Sequence, residues 1–506
     1  MNDLSLLQRL LSLPPDRLVQ RMFSSKAGSL SYAALADTAL RVAGWLQREA
    51  WIGPGDRVAL CLPKSLDAAQ AVYAVMAAGA AFVPLPHQGP RERLQGILAS
   101  IRPRLLLTTA EVGARLVGSI PAASLPPIQI VGTMEGGKGL ADLAAGAPAN
   151  VAAPDPDALA VVFFTSGSTG DAKGVMLSQR SLSETLAWVQ RRDGLRCADR
   201  LVSHGRLNYF SLDLFLPLLG CEVFLLADSE AMFPAHVAER VEQERATLWS
   251  STSTALRMLL EAGELERRDL SALRRVAFFG EPLHLRVLKQ LMDVLPRSEF
   301  VNRYGATEAY NMAYYVVPRP LPADLEALPL GWPSDIFRLT IRDEGGARLP
   351  PGDVGEICVA GPTVMLGYWE DDGLTAEKRL AGQRDSYRTG DLGYLDPQGL
   401  LHFAGRLDHV VKLRGHRFDL GEIEAVLKSH PAVREAVAFV VHPVVKAAVL
   451  VEEECTAALW TELRRICHAR LPSFARPADV TPLAQFPLLS TGKVDRRALR
   501  RQLAEG

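Results

Sequence analysis

Apolar runs of strand length alternate with longer helical patterns along most of the chain, and this alternation limits the possible folds more than any other feature. Residues 58–62 form a strand-length run, residues 66–78 have a helical pattern, and residues 81–85 form the next run. Strand–helix–strand order favours a parallel sheet covered by helices. Similar alternation continues to about residue 340, so we predict an α/β fold built on parallel sheets.

The pattern changes after Gly352, where short strand-like segments are separated by glycine turns and predict a small β-rich part. Beyond Leu407 a smaller α+β pattern follows, with helices at 420–429 and 457–470 and strands at 437–441 and 447–451. We therefore predict a large core, a small C-terminal domain, and a connector rich in Ala, Gly and Pro. Their bounds are residues 1–407, residues 408–506 and residues 137–156 respectively.

Composition excludes several classes of protein. The 506 residues are 48% hydrophobic and 22% charged, which is ordinary globular composition, and the formal net charge of -1 gives no sign of a nucleic-acid surface. The longest apolar run, residues 71–83, is interrupted by Gly79 and is too short to span a membrane. Six scattered cysteines without a CxxC pair signal neither a zinc site nor a disulfide framework. Together with an N-terminus unlike a signal peptide, this predicts a cytoplasmic protein.

An apolar run at residues 159–164 leads into a loop of glycine and hydroxyl residues. Glycines let backbone N–H groups converge on an anion, and hydroxyl groups add donors, so the loop is a candidate phosphate site. A flexible polar turn remains an equal alternative on composition alone. The candidate phosphate-binding residues are Thr165, Ser166, Gly167, Ser168, Thr169, Gly170 and Lys173.

This loop closely resembles the signature loop of the adenylate-forming superfamily, which includes acyl-CoA synthetases, luciferases and nonribosomal-peptide adenylation domains. Other segments resemble motifs of that superfamily in the same order along the chain. They are residues 31–35, 78–85, 302–308, 352–357, 387–392, 405–424 and 490–495. The resemblance implies an AMP-forming acid–thiol ligase that uses ATP and Mg²⁺, with a small mobile C-terminal domain. The sequence around residues 304–320 resembles stand-alone ligases that load amino acids, proline among them, onto a phosphopantetheine carrier protein.

The resemblance also implies roles for individual residues around the nucleotide. The loop around Lys173 would wrap the β- and γ-phosphates. Glu308 would hold Mg²⁺, and Thr307 would contact the α-phosphate. Hard cations prefer such oxygen ligands. The residues implied to contact the adenine, the ribose hydroxyls and the nucleotide are, in that order, Tyr304, Asp391 and Arg406.

Two further roles concern the C-terminal part of the chain. By resemblance, Lys493 would bridge the attacking carboxylate and the α-phosphate, where a cation meets charge that develops in the transition state. Asp408, between the two predicted domains, would be the hinge. Each of these residues, taken alone, could be an ordinary surface charge. The catalytic interpretation is favoured because the whole series of motifs occurs in the order found in the superfamily.

This sequence departs from the superfamily pattern at several points. Ala172 and Ala306 replace the usual prolines, and Gln179 stands where histidine is frequent. These changes remove no group assigned to phosphate or metal. In the fourth motif, amino-acid-activating relatives carry an aspartate that binds the substrate ammonium, whereas the uncharged Asn208 is nearest to that position here. The usual contact with an α-amine is therefore in doubt.

The acid-binding pocket is predicted by alignment with the superfamily. Phe279 stands where many relatives have a small residue and should shorten the pocket, which disfavours long fatty chains. Arg303 needs an anionic or strongly polar partner. That partner is either a substrate group or an internal acid such as Asp213. The predicted pocket residues are His204, Asn208, Trp249, Ala277, Phe279, Arg303, Asn311 and Met312.

Three functions compete at this stage. The first is a ligase that loads a small polar acid, most readily an amino acid, onto a carrier protein. The second is an acyl-CoA ligase for a small acid, which shares the adenylation step and differs in the thiol. The third is a nucleotide-binding protein without ligase activity. The presence of Lys493, Asp391 and Glu308 argues against the third.

Overall fold

The computed structural model describes residues 5–88, 91–132, 140–149, 151, 155–166, 172–208, 212–407, 410–413, 416–441, 444–451, 457–471, 475–488 and 494–504. The α-helices in this part of the chain are α1 Leu6–Leu11, α2 Pro15–Leu18, α3 Tyr32–Arg48, α4 Leu66–Ala77, α5 Arg91–Ile101, α6 Ala110–Ser119, α7 Leu140–Leu143, α8 Gln179–Asp193, α9 Asp228–Ala231, α10 Pro234–Gln243, α11 Ser253–Ala262, α12 Leu285–Val294, α13 Asp372–Glu377, α14 Leu420–Lys428, α15 Ala457–Arg470 and α16 Arg496–Ala504.

The strands are β1 Arg21–Ser25, β2 Gly28–Ser31, β3 Arg57–Cys61, β4 Ala81–Pro84, β5 Leu105–Thr108, β6 Ile128–Ile130, β7 Leu159–Ser166, β8 Ala172–Ser178, β9 Arg200–Ser203, β10 Glu222–Leu225, β11 Leu248–Thr252, β12 Arg275–Phe279, β13 Glu299–Ala306, β14 Tyr310–Val316, β15 Trp332–Pro333, β16 Arg338–Arg342, β17 Gly355–Ala360, β18 Gly367–Tyr368, β19 Ser386–Leu395, β20 Leu401–Arg406, β21 Val410–Leu413, β22 His416–Asp419, β23 Val433–Val441, β24 Val444–Val451 and β25 Asp479–Leu483.

Two large sheets dominate the structure. One has nine strands in the order β15-β14-β13-β12-β11-β9-β10-β1-β2, and the other has seven in the order β18-β8-β7-β4-β3-β5-β6. Both are parallel in their interiors, with antiparallel strands only at the edges. A four-stranded sheet has the order β16-β17-β19-β20. The predicted α/β class with parallel sheets is confirmed.

The interior strands are buried on both faces, as parallel strands covered by helices must be. In β3, Val58 and Leu60 lie in one apolar cluster, whereas Ala59 and Cys61 lie in another on the opposite face. This two-sided burial explains why the strand reads as a continuous apolar run instead of an alternating one.

The chain forms two compact units. The first comprises Met1–Thr340, Cys358–Arg388 and Gln398–Leu401, and the second comprises Ile341–Ile357, Thr389–Pro397 and His402–Gly506. The predicted boundary after residue 407 stays a prediction, and residues 408 and 409 lie outside the described part of the chain.

In the second unit, the sheet β23-β24-β25 has apolar side chains on both faces. Helices α14 and α15 cover one face through residues such as Ile423 and Leu463, and α16 covers the other through Leu499. This is the predicted small α+β domain.

The predicted connector is more structured than its composition indicates. Helix α7 lies within it, and Leu140 and Leu143 are buried in the main core, where α7 packs against α3. Apolar burial therefore outweighs the loop-forming composition of this segment. None of the helices in the described ranges has both the length and the apolar character needed to cross a membrane.

Candidate active site

The predicted phosphate loop joins β7 to β8, which pair antiparallel. Thr165 is paired with Lys173 and Ser166 with Ala172, so the register brings the two ends of the loop together. Strand β7 is held firmly because its two faces contribute to two separate core clusters. The other predicted phosphate-binding residues lie outside the described residues: Gly167, Ser168, Thr169 and Gly170.

Glu308 lies half-buried in the turn between β13 and β14. The Tyr368 hydroxyl donates to Oε1 of Glu308 at 2.9 Å. Burial raises the pKa of Glu308 above its usual value. A hydrogen bond from its own backbone N–H, the hydrogen bond from Tyr368 and the ammonium groups of Lys173 and Lys378 partly oppose that shift. Nζ of Lys173 is 5.9 Å from the centre of the Tyr368 ring. The structure therefore brings Lys173 and Glu308 together around Tyr368.

Glu308 is a residue that could hold a metal ion together with phosphate oxygens. Within the described residues there is no group of three or more His, Cys, Asp and Glu side chains that could hold a metal ion. Mg²⁺ in nucleotide-using enzymes commonly takes one or two carboxylates and completes its shell with phosphate oxygens and water. Burial disfavours the ionised form of Glu308, and a nearby cation would offset that penalty.

Two other predicted nucleotide residues lie on the same hairpin. Tyr304, on β13, is paired with Ala313 of β14 and packs partly buried against the main core. Thr307 is half-buried in the turn beside Glu308. Stacking of Tyr304 on adenine and contact of Thr307 with the α-phosphate stay predictions.

Asp391 and Arg406 contact each other in the second unit. Nη1 of Arg406, on β20, donates to Oδ1 of Asp391, on β19, at 2.5 Å. The Asp391 side chain is only 14% exposed, whereas that of Arg406 is 39% exposed. The Thr389 hydroxyl accepts the backbone N–H of Asp391 at 3.0 Å and donates to the Ile357 carbonyl at 2.8 Å. The structure thus brings these two predicted nucleotide residues together as an ordered pair.

Three parallel strands, β11, β12 and β13, carry four of the eight predicted pocket residues. Ala277 on β12 is paired with Ser250 on β11, and Phe279 on β12 is paired with Arg303 on β13. Paired residues of neighbouring strands lie on the same face of a sheet. Ala277, Phe279 and Arg303 therefore share one face, and Phe279 is 37% exposed.

Trp249 does not join this group. It is paired with Val276 and is buried with Phe278 in the core cluster on the opposite face of the sheet. Ser250 stands in its place beside Ala277. No motif marks Ser250. An alignment that is shifted by one residue along a strand assigns each side chain to the opposite face of the sheet.

The partner of Arg303 is an internal acid. Nη2 of Arg303 donates to Oδ2 of Asp193, at the end of α8, and Arg275 contacts the other carboxylate oxygen at 3.3 Å. Burial alone would lower the pKa of Arg303, but the Asp193 carboxylate, with Tyr310 and Asp213 nearby, raises it above its usual value. The internal acid in contact is therefore Asp193, whereas Asp213 acts only at longer range.

A buried lysine holds the segment that carries His204. Nζ of Lys64 donates to the carbonyl oxygens of Ser203 and Gly205 at 2.6 and 2.7 Å. Burial lowers the pKa of Lys64 to about 8. Burial and the Lys64 charge lower the pKa of His204 to about 4, so its ring is neutral near pH 7. No sequence motif marks Lys64, whose contacts are far away in the chain.

The remaining predicted pocket residues have varied surroundings. Asn208 is half-buried at the end of a described range. Met312 is fully buried in the main core. Asn311 is buried and its carbonyl accepts from the Ser334 hydroxyl at 2.8 Å, whereas its side-chain Nδ2 has no hydrogen-bond partner among the described residues. The predicted catalytic Lys493 and hinge Asp408 lie outside the described residues.

Comparisons with known proteins agree over nearly the whole chain. Residues 12–369 match the family described as AMP-binding enzyme, and residues 422–493 match the AMP-binding enzyme C-terminal domain. A phenyloxazoline synthase of Mycolicibacterium paratuberculosis is 35% identical over 491 residues, which cover 94% of this chain. This chain spans only 40% of the length of that relative.

Two other comparisons involve proteins of similar length. An L-proline–[L-prolyl-carrier protein] ligase of Pseudomonas fluorescens is 31% identical over 458 residues, covering 89% of this chain and 90% of the relative. The crystal structure of ATP-bound MatB from Rhodopseudomonas palustris superposes with a TM-score of 0.86 and 26% identity, covering 99% of each chain.

Proposed function

Because the chain belongs to the AMP-binding enzyme family, we propose that it uses ATP to convert a small carboxylic acid, most readily an amino acid, to its acyl-adenylate. We propose further that it transfers the acyl group to the phosphopantetheine thiol of a separate carrier protein. Family membership confirms the predicted superfamily and the predicted class of AMP-forming enzyme.

The observation that carries this proposal is the convergence of Lys173 and Glu308. Lys173 lies at the start of β8, at the end of the proposed phosphate loop, and its ammonium acts on the carboxyl group of Glu308. A cation for phosphate oxygens and a carboxylate for Mg²⁺ are the two charges that a bound metal–triphosphate complex requires. Mg²⁺ would neutralise phosphate charge, and Glu308 would be its protein ligand.

The predicted residues would have different roles in the two half-reactions. In the first, a carboxylate oxygen of the acid forms a bond to the α-phosphorus, and the bond from that phosphorus to pyrophosphate breaks. Residues 165–173 would bind the departing phosphates, and Lys493 would stabilise the charge between the two reactants. In the second, the thiol sulfur forms a bond to the acyl carbon, its proton is released, and AMP leaves.

The remaining roles concern binding. Tyr304 would stack on adenine, and Thr307 would contact the α-phosphate. Asp391 would accept hydrogen bonds from the ribose hydroxyls, and Arg406, which donates to Asp391, would orient that carboxylate as well as contact the nucleotide.

Similarity to a prolyl-carrier protein ligase of nearly equal length supports an amino acid as substrate and a carrier protein as acceptor. Phe279 lies on the same face as Ala277 and Arg303, where its side chain would limit the length of the proposed pocket and favour a small acid. An acyl-CoA ligase is the alternative, and it differs only in the thiol used.

The test is acid-dependent release of pyrophosphate from ATP, measured over a panel of amino acids, hydroxy acids and fatty acids. We expect AMP, not ADP, as the nucleotide product and highest activity with an amino acid. Adding either a phosphopantetheinylated carrier protein or CoA then identifies the thiol. Absence of acid-dependent pyrophosphate release over the whole panel would refute the proposed function, and faster turnover with CoA would favour the alternative.

A further inference from the structure

An ion pair joins helix α14 to the first turn of α16. Nη1 and Nη2 of Arg496 donate to Oε1 and Oε2 of Glu424 at 2.7 and 2.6 Å. Oε1 of Glu424 also accepts the backbone N–H of Ala438, on β23, at 2.8 Å. The Glu424 side chain is only 7% exposed. Both of its oxygens are engaged, so this bidentate pair fixes Arg496 against α14 and β23.

Backbone contacts hold the chain immediately before α16. Leu488 and Val494 form an antiparallel bridge, and the N–H of Asp495 donates to the Pro487 carbonyl at 2.7 Å. The Asp495 carboxylate then accepts the N–H of Ala498 at 2.9 Å, as a helix-capping residue does. The described residues on either side of 489–493 are therefore fixed next to each other.

An apolar cluster secures the same region to the sheet. Phe486, before the bridge, and Leu499, in α16, are buried against Val437 and Phe439 of β23, and Val494 packs against them. Apolar contacts have little directional preference. The bidentate ion pair between Glu424 and Arg496 also fixes the orientation of the Arg496 side chain.

We propose that Glu424 and Arg496 are positioning residues for adenylation, because their ion pair fixes the chain three residues beyond Lys493, the proposed catalytic lysine. This inference rests on the proposed function, in which Lys493 serves the first half-reaction. Displacing a catalytic group by about 1 Å can cost roughly a hundredfold in rate. The ion pair should therefore affect formation of the bond between the acid and the α-phosphorus, but not the later attack of the thiol.

The test compares the two half-reactions in Glu424→Gln. Glutamine removes the charge but keeps an amide oxygen for the Ala438 N–H. We expect kcat for pyrophosphate release to fall at least about tenfold, with KM for ATP and acid nearly unchanged. Thioester formation from a supplied acyl-adenylate should stay at the wild-type rate. Arg496→Lys, which keeps the charge but loses the bidentate geometry, should give a smaller decrease of the same kind and provides a second variant if Glu424→Gln folds poorly.

The matched control is Glu435→Gln. Glu435, on β23, pairs at 3.1 Å with Lys428, which lies one helical turn after Glu424 on α14. Neither residue of this pair is close to residues 489–493 in the chain, whereas Arg496 is. We expect both half-reactions to stay normal in this variant. Lys493→Ala provides the reference for complete loss of adenylation with retained transfer.

Two results would overturn the positioning role. One is normal adenylation by both Glu424→Gln and Arg496→Lys. The other is an equal decrease in the two half-reactions that follows the loss of melting temperature, since a purely structural ion pair would act in that way. Failure of the proposed function is distinguishable, because the wild-type enzyme would then release no pyrophosphate with any acid.

Discussion

At the scale of single residues, Glu308 combines a proposed function in metal binding with an unfavourable effect on stability. Its carboxylate is half-buried, burial raises its pKa, and the Tyr368 hydroxyl donates a hydrogen bond to it. A group whose pKa is raised on folding contributes stability below its unfolded pKa, and that contribution is lost as the pH rises through the folded value. Ionised Glu308 should therefore destabilise the protein near neutral pH unless a cation is bound.

We predict that Glu308→Gln melts at a higher temperature than the wild type at pH 7–8. The difference should disappear below about pH 4.5, where the carboxyl group is protonated in both states. ATP with Mg²⁺ should stabilise the wild type more than the variant, and pyrophosphate release should fall. Thermal melting across this pH range measures the effect, with the exposed Glu326→Gln as control. A variant less stable than the wild type at pH 7–8 would contradict the prediction.

Arg303 gives a second prediction at this scale, because its guanidinium binds Asp193. Arg303→Leu leaves the buried Asp193 carboxylate with Arg275 as its remaining arginine partner. We expect the free energy of unfolding to decrease by about 3 kcal/mol and all acids to lose activity alike. Melting curves and pyrophosphate release with a polar and an apolar acid measure both effects.

The control for Arg303 is the double variant Arg303→Leu with Asp193→Asn, which should recover part of the lost stability because no carboxylate is left buried. A different outcome is also informative. Unchanged melting with a loss at least about tenfold larger for the polar acid would show that Arg303 binds the substrate instead.

These residues also show where prediction from sequence ends. A motif locates Arg303, but its partner Asp193 lies 110 positions away, on a helix that the motif does not include. The strand containing Trp249 is marked by its apolar residues, yet only the register with β12 shows that Ser250 faces Ala277. No sequence motif identifies Lys64, because the two groups that accept its hydrogen bonds are backbone carbonyls of a distant segment. Tertiary partners of this kind depend on the packing of whole elements.

At the scale of elements, Gly174 explains how the β7–β8 hairpin, which carries the proposed phosphate loop, is positioned. A Cβ atom at this place would lie 2.9 Å from Cβ of Trp369 and 3.0 Å from Cγ1 of Val162. The carbonyl of Gly174 accepts the N–H of Trp369 at 2.7 Å. Strand β8 can approach the segment after β18 this closely only without a side chain, and Lys173 is the adjacent residue.

We predict that Gly174→Ala shifts β8 and with it Lys173. Overpacking of this kind costs about 1–3 kcal/mol, and KM for ATP should rise several-fold while KM for the acid changes little. Gly96→Ala is the matched control, because nothing lies within 4 Å of a Cβ there and alanine favours helix α5. Unaltered ATP kinetics in a destabilised Gly174→Ala protein would show that the hairpin does not depend on this contact.

Long periodic elements are the ones that the sequence predicts well. The helix predicted at 457–470 is observed as Ala457–Arg470, and the strand predicted at 58–62 as Arg57–Cys61. Their apolar pattern is sufficient because one or both faces are buried over several turns or pleats. The two-residue strands β15 and β18 were beyond prediction, since they exist only through pairing with β14 and β8.

At the scale of the whole molecule, the two compact units do not correspond to a division of the chain at a single residue. Residues 341–357 and 389–397 belong to the second compact unit although they precede residue 408. A prediction from sequence most simply divides a chain at one position. In the folded protein, strands from separate segments can pack into one unit. The proposed division into residues 1–407 and 408–506 therefore describes the movement proposed for catalysis and differs from the division into compact units.

The final prediction addresses that movement through Asp408, the proposed hinge. The family resemblance implies that the C-terminal domain rotates between adenylation and thioester formation, and in that case the backbone at the proposed hinge would change its dihedral angles. Asp408→Pro fixes φ and removes a backbone donor, which should hinder the rotation and leave adenylation intact. We expect pyrophosphate release in the first turnover to stay near the wild-type rate and thioester formation to fall at least about tenfold. Asp408→Ala, which leaves φ free, should retain both activities, and normal overall turnover by Asp408→Pro would remove this residue from the hinge.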